Sequence, residues 1–293
     1  MTRNQPLNPN DAPLGTLLKA RTQSGAARWF YQSPDGLRAL GAETRLGSLL
    51  ALEVSDALRT LDAAPLASEA PTQLLAPVDD YTEVWAAGVT YQISKEARME
   101  ESSEADIYDR VYDAERPELF FKGLGWRVSG PGGPAGIRAD SELNVPEPEL
   151  ALVLNFRGEV MGYTICNDMS SRSIEGENPL YLPQAKVYRH SCVIGPWIRL
   201  AGAMPDPDNT GITMDIARRG EVVWKGSTST AKLKRKFTEL ADYLIRAEDY
   251  PEGAVLSTGT SVVPDLDFIL SEGDNVTIGI EGIGVLSNAV ARV

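Results

Sequence analysis

Beyond residue 80 the chain falls into short apolar runs parted by Gly, Asn and Pro turns, the texture of strands buried on one or both faces. Val84–Val89, Leu119–Lys122, Leu150–Phe156, Val160–Cys166, Thr213–Ala217, Val222–Lys225 and Val276–Ile280 are the predicted strands. Two stretches follow a helical period instead. Ser229 is placed to cap a helix running to Arg246, with Leu233, Phe237, Leu240 and Leu244 along one face. The other covers Ser94 to Tyr112, carries Glu101, Glu104, Asp106 and Asp109, and has little apolar face; it reads as a mobile lid or as a plain solvated helix. Earlier in the chain, residues 14–60 alternate apolar runs with turn signals, and Ala63–Pro77 reads as a linker rich in Ala, Pro and Ser. The pattern predicts an α+β, β-rich fold, with a small N-terminal α/β cap domain over residues 1–76 and a main domain over residues 77–293.

Composition then narrows the function classes. The 293 residues carry 41 Asp and Glu against 28 Lys and Arg, a net charge of −13. That argues against nucleic-acid binding, whose affinity comes largely from Lys and Arg replacing counterions on phosphates. The one basic stripe, Lys232, Lys234, Arg235 and Lys236, reads as a solvated helix face. No run of about 18 apolar residues occurs and Met1–Pro13 is polar, so a cytoplasmic protein without a membrane span or secretory signal is expected. Cys166 and Cys192 lie in apolar segments, which suits a reducing compartment. With His190 the single histidine, a multi-histidine zinc site cannot be built and a Ser/His/Asp triad has no clear place. Acid/base chemistry must rest mainly on carboxylates, lysine and tyrosine.

Pro146-Glu147-Pro148-Glu149 opens the apolar run Leu150–Leu154, and on a strand residues two apart share a face, so the two carboxylates converge. Like charges so placed repel unless a proton or cation lies between them. Asp168 ends the next apolar strand, Tyr163–Asp168. If the two strands pair, the three carboxylates complete an all-oxygen site for Mg2+ or Mn2+ with positions left for water or substrate. The pattern alone also fits an exposed pair of edge glutamates.

Glu147-Pro148-Glu149 before an apolar strand and Asn167-Asp168-Met169-Ser170-Ser171-Arg172 resemble the metal-binding signature of the fumarylacetoacetate hydrolase family. The resemblance continues through Pro117-Glu118-Leu119-Phe120-Phe121-Lys122, Lys186 ahead of Cys192-Val193-Ile194-Gly195-Pro196, and Thr258-Gly259-Thr260, covering about Val84 to Val290. It implies a mixed β-roll catalytic domain with a small N-terminal domain and a homodimer or homotetramer. It also implies a divalent cation held by Glu147, Glu149 and Asp168, usually Mg2+ with Mn2+ or Ca2+ as substitutes. The cation would chelate the carboxylate and adjacent keto oxygen of a small-molecule 2-keto acid.

Departures from the family pattern choose among its reactions. Family hydrolases of C–C bonds usually carry a His and a Glu after a Gly-x-Asn-Tyr turn to activate water; here the stretch is Gly88-Val89-Thr90-Tyr91, with Ser94 where the histidine would sit. Serine cannot serve as a general base near neutral pH without one of its own. Position 118, usually apolar in those hydrolases, is Glu. With Glu175-Gly176-Glu177 and Tyr108-Asp109-Arg110, this points to a branch of the family that dehydrates 2-keto-3-deoxy sugar acids of pentose catabolism. Glu118 and Lys186 are then the acid/base pair, although Lys186 can instead hold an enolate oxygen by its charge. Gly259 and Thr260 can meet the substrate carboxylate, or Thr260 can be a turn residue. Arg172 braces the Asp168 turn or touches substrate, Tyr91 contacts substrate or packs the hinge, and Glu96 is an acid/base helper or a charged helix residue. His190 reads as a structural residue near the lysine loop. The competing readings are an acylpyruvate hydrolase or oxaloacetate decarboxylase sharing the cation site, and a non-catalytic metal-binding subunit.

Overall fold

The structure is a computed structural model and describes residues 8–91 and 110–293. The first part of the chain forms β1 (Thr16–Thr22), β2 (Ala27–Ser33), β3 (Gly36–Ala39), the helices α1 (Leu46–Leu50) and α2 (Val54–Ala63), and β4 (Pro71–Leu74). The next strands are β5 (Glu83–Gly88), β6 (Glu118–Leu124), β7 (Pro134–Ile137), β8 (Asn144–Val145), β9 (Pro148–Leu154), β10 (Val160–Asp168) and β11 (Ser170–Ser171). Helices α3 (Arg172–Glu177) and α4 (Leu182–Lys186) lead into β12 (Cys192–Leu200), β13 (Gly211–Arg218) and β14 (Glu221–Ser229). Helix α5 (Phe237–Ile245) precedes β15 (Ala254–Ser257), β16 (Asn275–Ile280) and β17 (Gly284–Arg292).

Among the described residues, the main sheet runs β3-β2-β1-β12-β10-β9-β15-β5-β6 with β4 added to β1, and a second sheet runs β14-β13-β16-β17-β7. Every residue of β9 is buried, and its alternation serves two cores. Leu150, Leu152 and Leu154 join Ile212, Met214, Ile278 and α5 in the core shared with the second sheet. Ala151 and Val153 face the other way, packing with Val84, Cys166, Ile194 and the leucines of α1 and α2. The β-rich expectation holds, and all seven predicted strands are present with ends shifted by a few residues.

Two expectations are corrected. The helix from Ser229 is shorter: Ser229 caps a single 3-10 turn, Thr230–Lys232, and the α-helix starts only at Phe237. Leu233 breaks it because its backbone is extended and bridges Tyr91, while the Lys234 N–H donates to the Thr90 carbonyl at 3.0 Å. The Ala63–Pro77 linker contains β4, whose Leu74 is buried and which continues the sheet on Ala20–Thr22. Residues 92–109, which hold Ser94, Glu96 and most of the proposed lid, lie outside the described residues.

Candidate metal centre and active site

Strands β9 and β10 pair antiparallel with Cys166 opposite Glu149 and Asn167 opposite Pro148, the pairing on which the carboxylate site depended. Just past that ladder the Asp168 N–H donates to the Glu147 carbonyl at 2.9 Å, and Asn167 Oδ1 accepts from the Glu147 N–H at 3.1 Å. Glu147, Glu149 and Asp168 are thereby gathered, with ligand atoms within 4.8 Å of one another. All three are essentially inaccessible to solvent, at 2%, 1% and 1% exposure. The edge-glutamate alternative is excluded.

Such a concentration of buried charge is unfavourable unless it is compensated. Lys186 Nζ, carried by α4, stands between Glu147 Oε2 at 2.6 Å and Asp168 Oδ2 at 3.1 Å, and also donates to Ser170 Oγ at 2.6 Å. Arg172 Nη2 donates to Glu147 Oε1 at 2.7 Å from the first turn of α3. Glu149 Oε2 accepts from Ser257 Oγ at 2.6 Å and from the Gly259 N–H at 2.8 Å. Even so, burial first, and then the charges of Asp168 and Glu147, push the Glu149 carboxyl well above the ordinary carboxylate range. A buried, all-oxygen, three-carboxylate cage with residual repulsion is the donor set that a hard divalent cation such as Mg2+ fits.

Lys122, quoted only as part of a motif by the sequence reading, belongs to this centre. Its Nζ lies 2.5 Å from Asp168 Oδ1, an ion pair without hydrogen-bond alignment, and donates to the carbonyls of Met169 at 3.0 Å and Lys186 at 2.5 Å. Strand β6 is four places from β10 in the hydrogen-bonding order, so this contact requires the main sheet to curl back over its own face. The curl brings Phe120 with it, whose ring centre is 5.5 Å from Lys186 Nζ. Glu118 shares the face of Phe120 by strand alternation and is half-buried opposite Gly88, while Lys122 is the extra residue at a register shift between the Phe121–Trp85 and Gly123–Val84 pairs.

The remaining candidates fall around the cage. Tyr91 is buried, and its hydroxyl pKa is raised by burial and by the charge of Glu149. The Gly259 N–H serves Glu149, and Thr260 Oγ1 closes a local turn with the Val262 backbone at 3.3 Å. Arg172 is tied to Glu147 rather than to Asp168. His190 occupies the left-handed region at φ 59 in the loop after Lys186, with Nδ1 3.1 Å from Ser129 Oγ. The basic stripe has a use that periodicity did not reveal: Lys234 Nζ donates to the Tyr112 carbonyl at 2.6 Å and meets Asp113 at 2.7 Å. Arg235 likewise binds the carbonyls of Ala114 and Glu115, so both residues fasten the segment that leads into β6. Lys122 and Ser170 had a signal only in the motifs that contain them, and Ser257 had none.

Comparison with known proteins places this geometry in a class. Residues 83–291 match the fumarylacetoacetate (FAA) hydrolase C-terminal family, and the chain belongs to that family. It is 50% identical over 264 residues, 88% of this chain and 89% of the relative, to the "Probable 2-keto-3-deoxyxylonate dehydratase" of Haloferax volcanii. It is 43% identical over 224 residues, 75% of each chain, to the "2-dehydro-3-deoxy-D-arabinonate dehydratase" of Saccharolobus solfataricus. Among solved structures it is similar to "2-keto-3-deoxy-D-arabinonate dehydratase complexed with magnesium and 2,5-dioxopentanoate", with a TM-score of 0.81, 34% identity, and 95% of this chain and 99% of that chain covered.

Proposed function

We propose that the protein is a Mg2+-dependent hydro-lyase that converts 2-keto-3-deoxy-D-arabinonate to 2,5-dioxopentanoate (2-oxoglutarate semialdehyde) in pentose catabolism. The arabinonate and xylonate names of its relatives denote one molecule within the D series, because C2 is a ketone and C3 a methylene, which erases the centres that distinguish the two sugars. The observation that carries the reading is the buried Glu147–Glu149–Asp168 cage with Lys186 inside it, in a chain half-identical to a named dehydratase.

Glu147, Glu149 and Asp168 would hold a Mg2+ ion, which would supply Lewis acidity to a bound 2-keto acid and make its C3 protons more acidic. Glu118 takes one C3 proton and returns it to the departing C4 hydroxyl, so that the C3–H and C4–O bonds break and water leaves. Transfer of a proton from C5 to C3 and ketonisation of the resulting enol give the aldehyde. Lys186 already spends its donors on Glu147, Asp168 and Ser170, so it gives a proton to substrate only by releasing one of them. Its charge needs no such release, and we assign it the electrostatic role, holding negative charge that develops on the keto oxygen. Arg172 orients Glu147, the Gly259 N–H orients Glu149, and Thr260 and Tyr91 border the substrate space; the assignment of Glu96 rests on sequence alone.

We further propose residues 1–76 as the N-terminal cap domain and 77–293 as the catalytic domain, supported by the family match beginning at residue 83. A homodimer or homotetramer is the proposed assembly, to be read by light scattering. Among the described residues no helix is long and apolar enough to cross a membrane; a cytoplasmic location is the reading of the sequence. Incubation of pure protein with Mg2+ and 2-keto-3-deoxy-D-arabinonate should yield 2,5-dioxopentanoate in equimolar amount. Pyruvate from acylpyruvates or oxaloacetate, with no semialdehyde from the sugar acid, would overturn the assignment.

A further inference from the structure

Gly88 ends β5 directly opposite Glu118 in the antiparallel ladder with β6. Cross-strand neighbours ordinarily stand side by side off the sheet. Here the Glu118 side chain instead lies over the Gly88 backbone. A Cβ built on Gly88 would fall 2.0 Å from Glu118 Oε2, 2.6 Å from its Cδ and 3.4 Å from its Cγ, so the carboxylate fills the volume that any other residue would take. Gly88 is not among the glycines at positive φ, so the need for glycine here comes from the space above it and not from its backbone. The neighbourhood is otherwise tightly set. Val89 follows with φ 51, unusual for a β-branched residue, and the next side chain, Thr90, donates to the Thr258 carbonyl at 2.8 Å.

From this packing we infer that Gly88 is a positioning residue: its missing side chain is the seat that fixes the Glu118 carboxylate over the end of β5. The inference rests on the acid/base role proposed above for Glu118. A seat of this kind holds the carboxylate down against the sheet. Alanine at 88 would keep the strand, because only the flexible end of Glu118 is in the way. The carboxylate would have to swing off its position, and displacements of about 1 Å are enough to cost as much as 10²-fold in turnover.

The test is a double-mutant cycle with Gly88→Ala and Glu118→Ala, reading kcat, KM and the calorimetric affinity for Mg2+. Gly88→Ala alone should lower kcat by about 10-fold to 10²-fold, with KM and Mg2+ affinity within about twofold of wild type. In the Glu118→Ala background, where nothing occupies the seat, the same substitution should change kcat less than about twofold. Equal losses in both backgrounds, a Gly88→Ala enzyme with wild-type kcat, or a parallel loss of Mg2+ affinity would each overturn the inference. If Gly88→Ala does not fold alone, recovery of folding in the double variant supports the seat and failure in both refutes it. Wild-type turnover by Glu118→Ala would instead sink the acid/base reading itself, an outcome distinct from all of these.

Discussion

Lys122→Met removes a buried ammonium while keeping most of the length of the side chain. The lysine is 1% exposed, pairs with Asp168 Oδ1 and satisfies two backbone carbonyls, those of Met169 and Lys186. Removing one partner of a buried ion pair costs about 3–5 kcal/mol, since the other is left as an uncompensated charge. Asp168 keeps Lys186 on its second oxygen and the Lys186 carbonyl keeps the Ser191 hydroxyl at 2.9 Å, which argues for the lower end, while the loss of the lysine donor to the Met169 carbonyl argues for the upper. With an unfolding entropy of about 2.1 cal/mol/K per residue, a chain of 293 residues loses roughly 5–8 °C of Tm for that range. Saturating Mg2+ should raise the Tm of the variant by more than it raises that of the wild type, because the cation replaces charge that Asp168 has lost. Differential scanning calorimetry with EDTA and with Mg2+ provides the four values. A metal-free Tm within 1–2 °C of wild type, or equal Mg2+ shifts in both proteins, would refute the counter-charge account of Lys122.

Glu118→Gln keeps size and most hydrogen bonds but cannot carry a proton, so kcat should fall by roughly 10²-fold to 10⁴-fold with little change in KM; near wild-type kcat in steady-state assays would remove Glu118 from the chemistry. Glu147→Gln, Glu149→Gln and Asp168→Asn should each abolish Mg2+ binding by isothermal titration calorimetry while circular dichroism stays native, and wild-type affinity in all three would dissolve the cage assignment. Glu149 gives a pH dependence. A carboxyl whose folded pKa is raised contributes stability that is present below its unfolded value and lost as pH rises through the folded one, so the metal-free protein should weaken on raising pH above the ordinary carboxylate range. Mg2+ binding within that window should release protons and tighten with pH, and calorimetry in two buffers showing no proton release would contradict the shift.

What the sequence disclosed and what it withheld follow from the range of the interactions. The strand runs and the convergence of Glu147 with Glu149 were legible because they depend on alternation within one segment, and Asp168 needed only one antiparallel neighbour. The place of Lys122 was not, because it depends on the curl that returns β6 over β10, a property of the whole sheet. Helix periodicity misled at Leu233 because a bridge to Tyr91 and the bond from Lys234 to Thr90 hold that stretch extended, a tertiary demand stronger than local propensity. Ala63–Pro77 misled for the opposite reason: its composition says loop, yet Leu74 reaches a core position once β1 offers an edge.

The charges of the centre give a reason for elimination. Glu147, Glu149 and Asp168 contribute three negative charges when ionised, and Lys122, Lys186 and Arg172 contribute three positive ones, so these six side chains sum to zero. A divalent cation raises the sum to +2, the carboxylate of a 2-keto acid lowers it to +1, and an ionised Glu118 brings it to zero before any proton moves. On the proposed mechanism, proton transfer from C3 to Glu118 keeps that sum and moves the negative charge to the enolate oxygen, where a bound cation and Lys186 would stabilise it. Hydrolysis would need a base for water as well, and the single histidine, His190, is engaged with Ser129 in the loop after Lys186. A site that stabilises an enolate beside a carboxyl group, and lacks a histidine to activate water, lets the enolate expel its own β-hydroxyl.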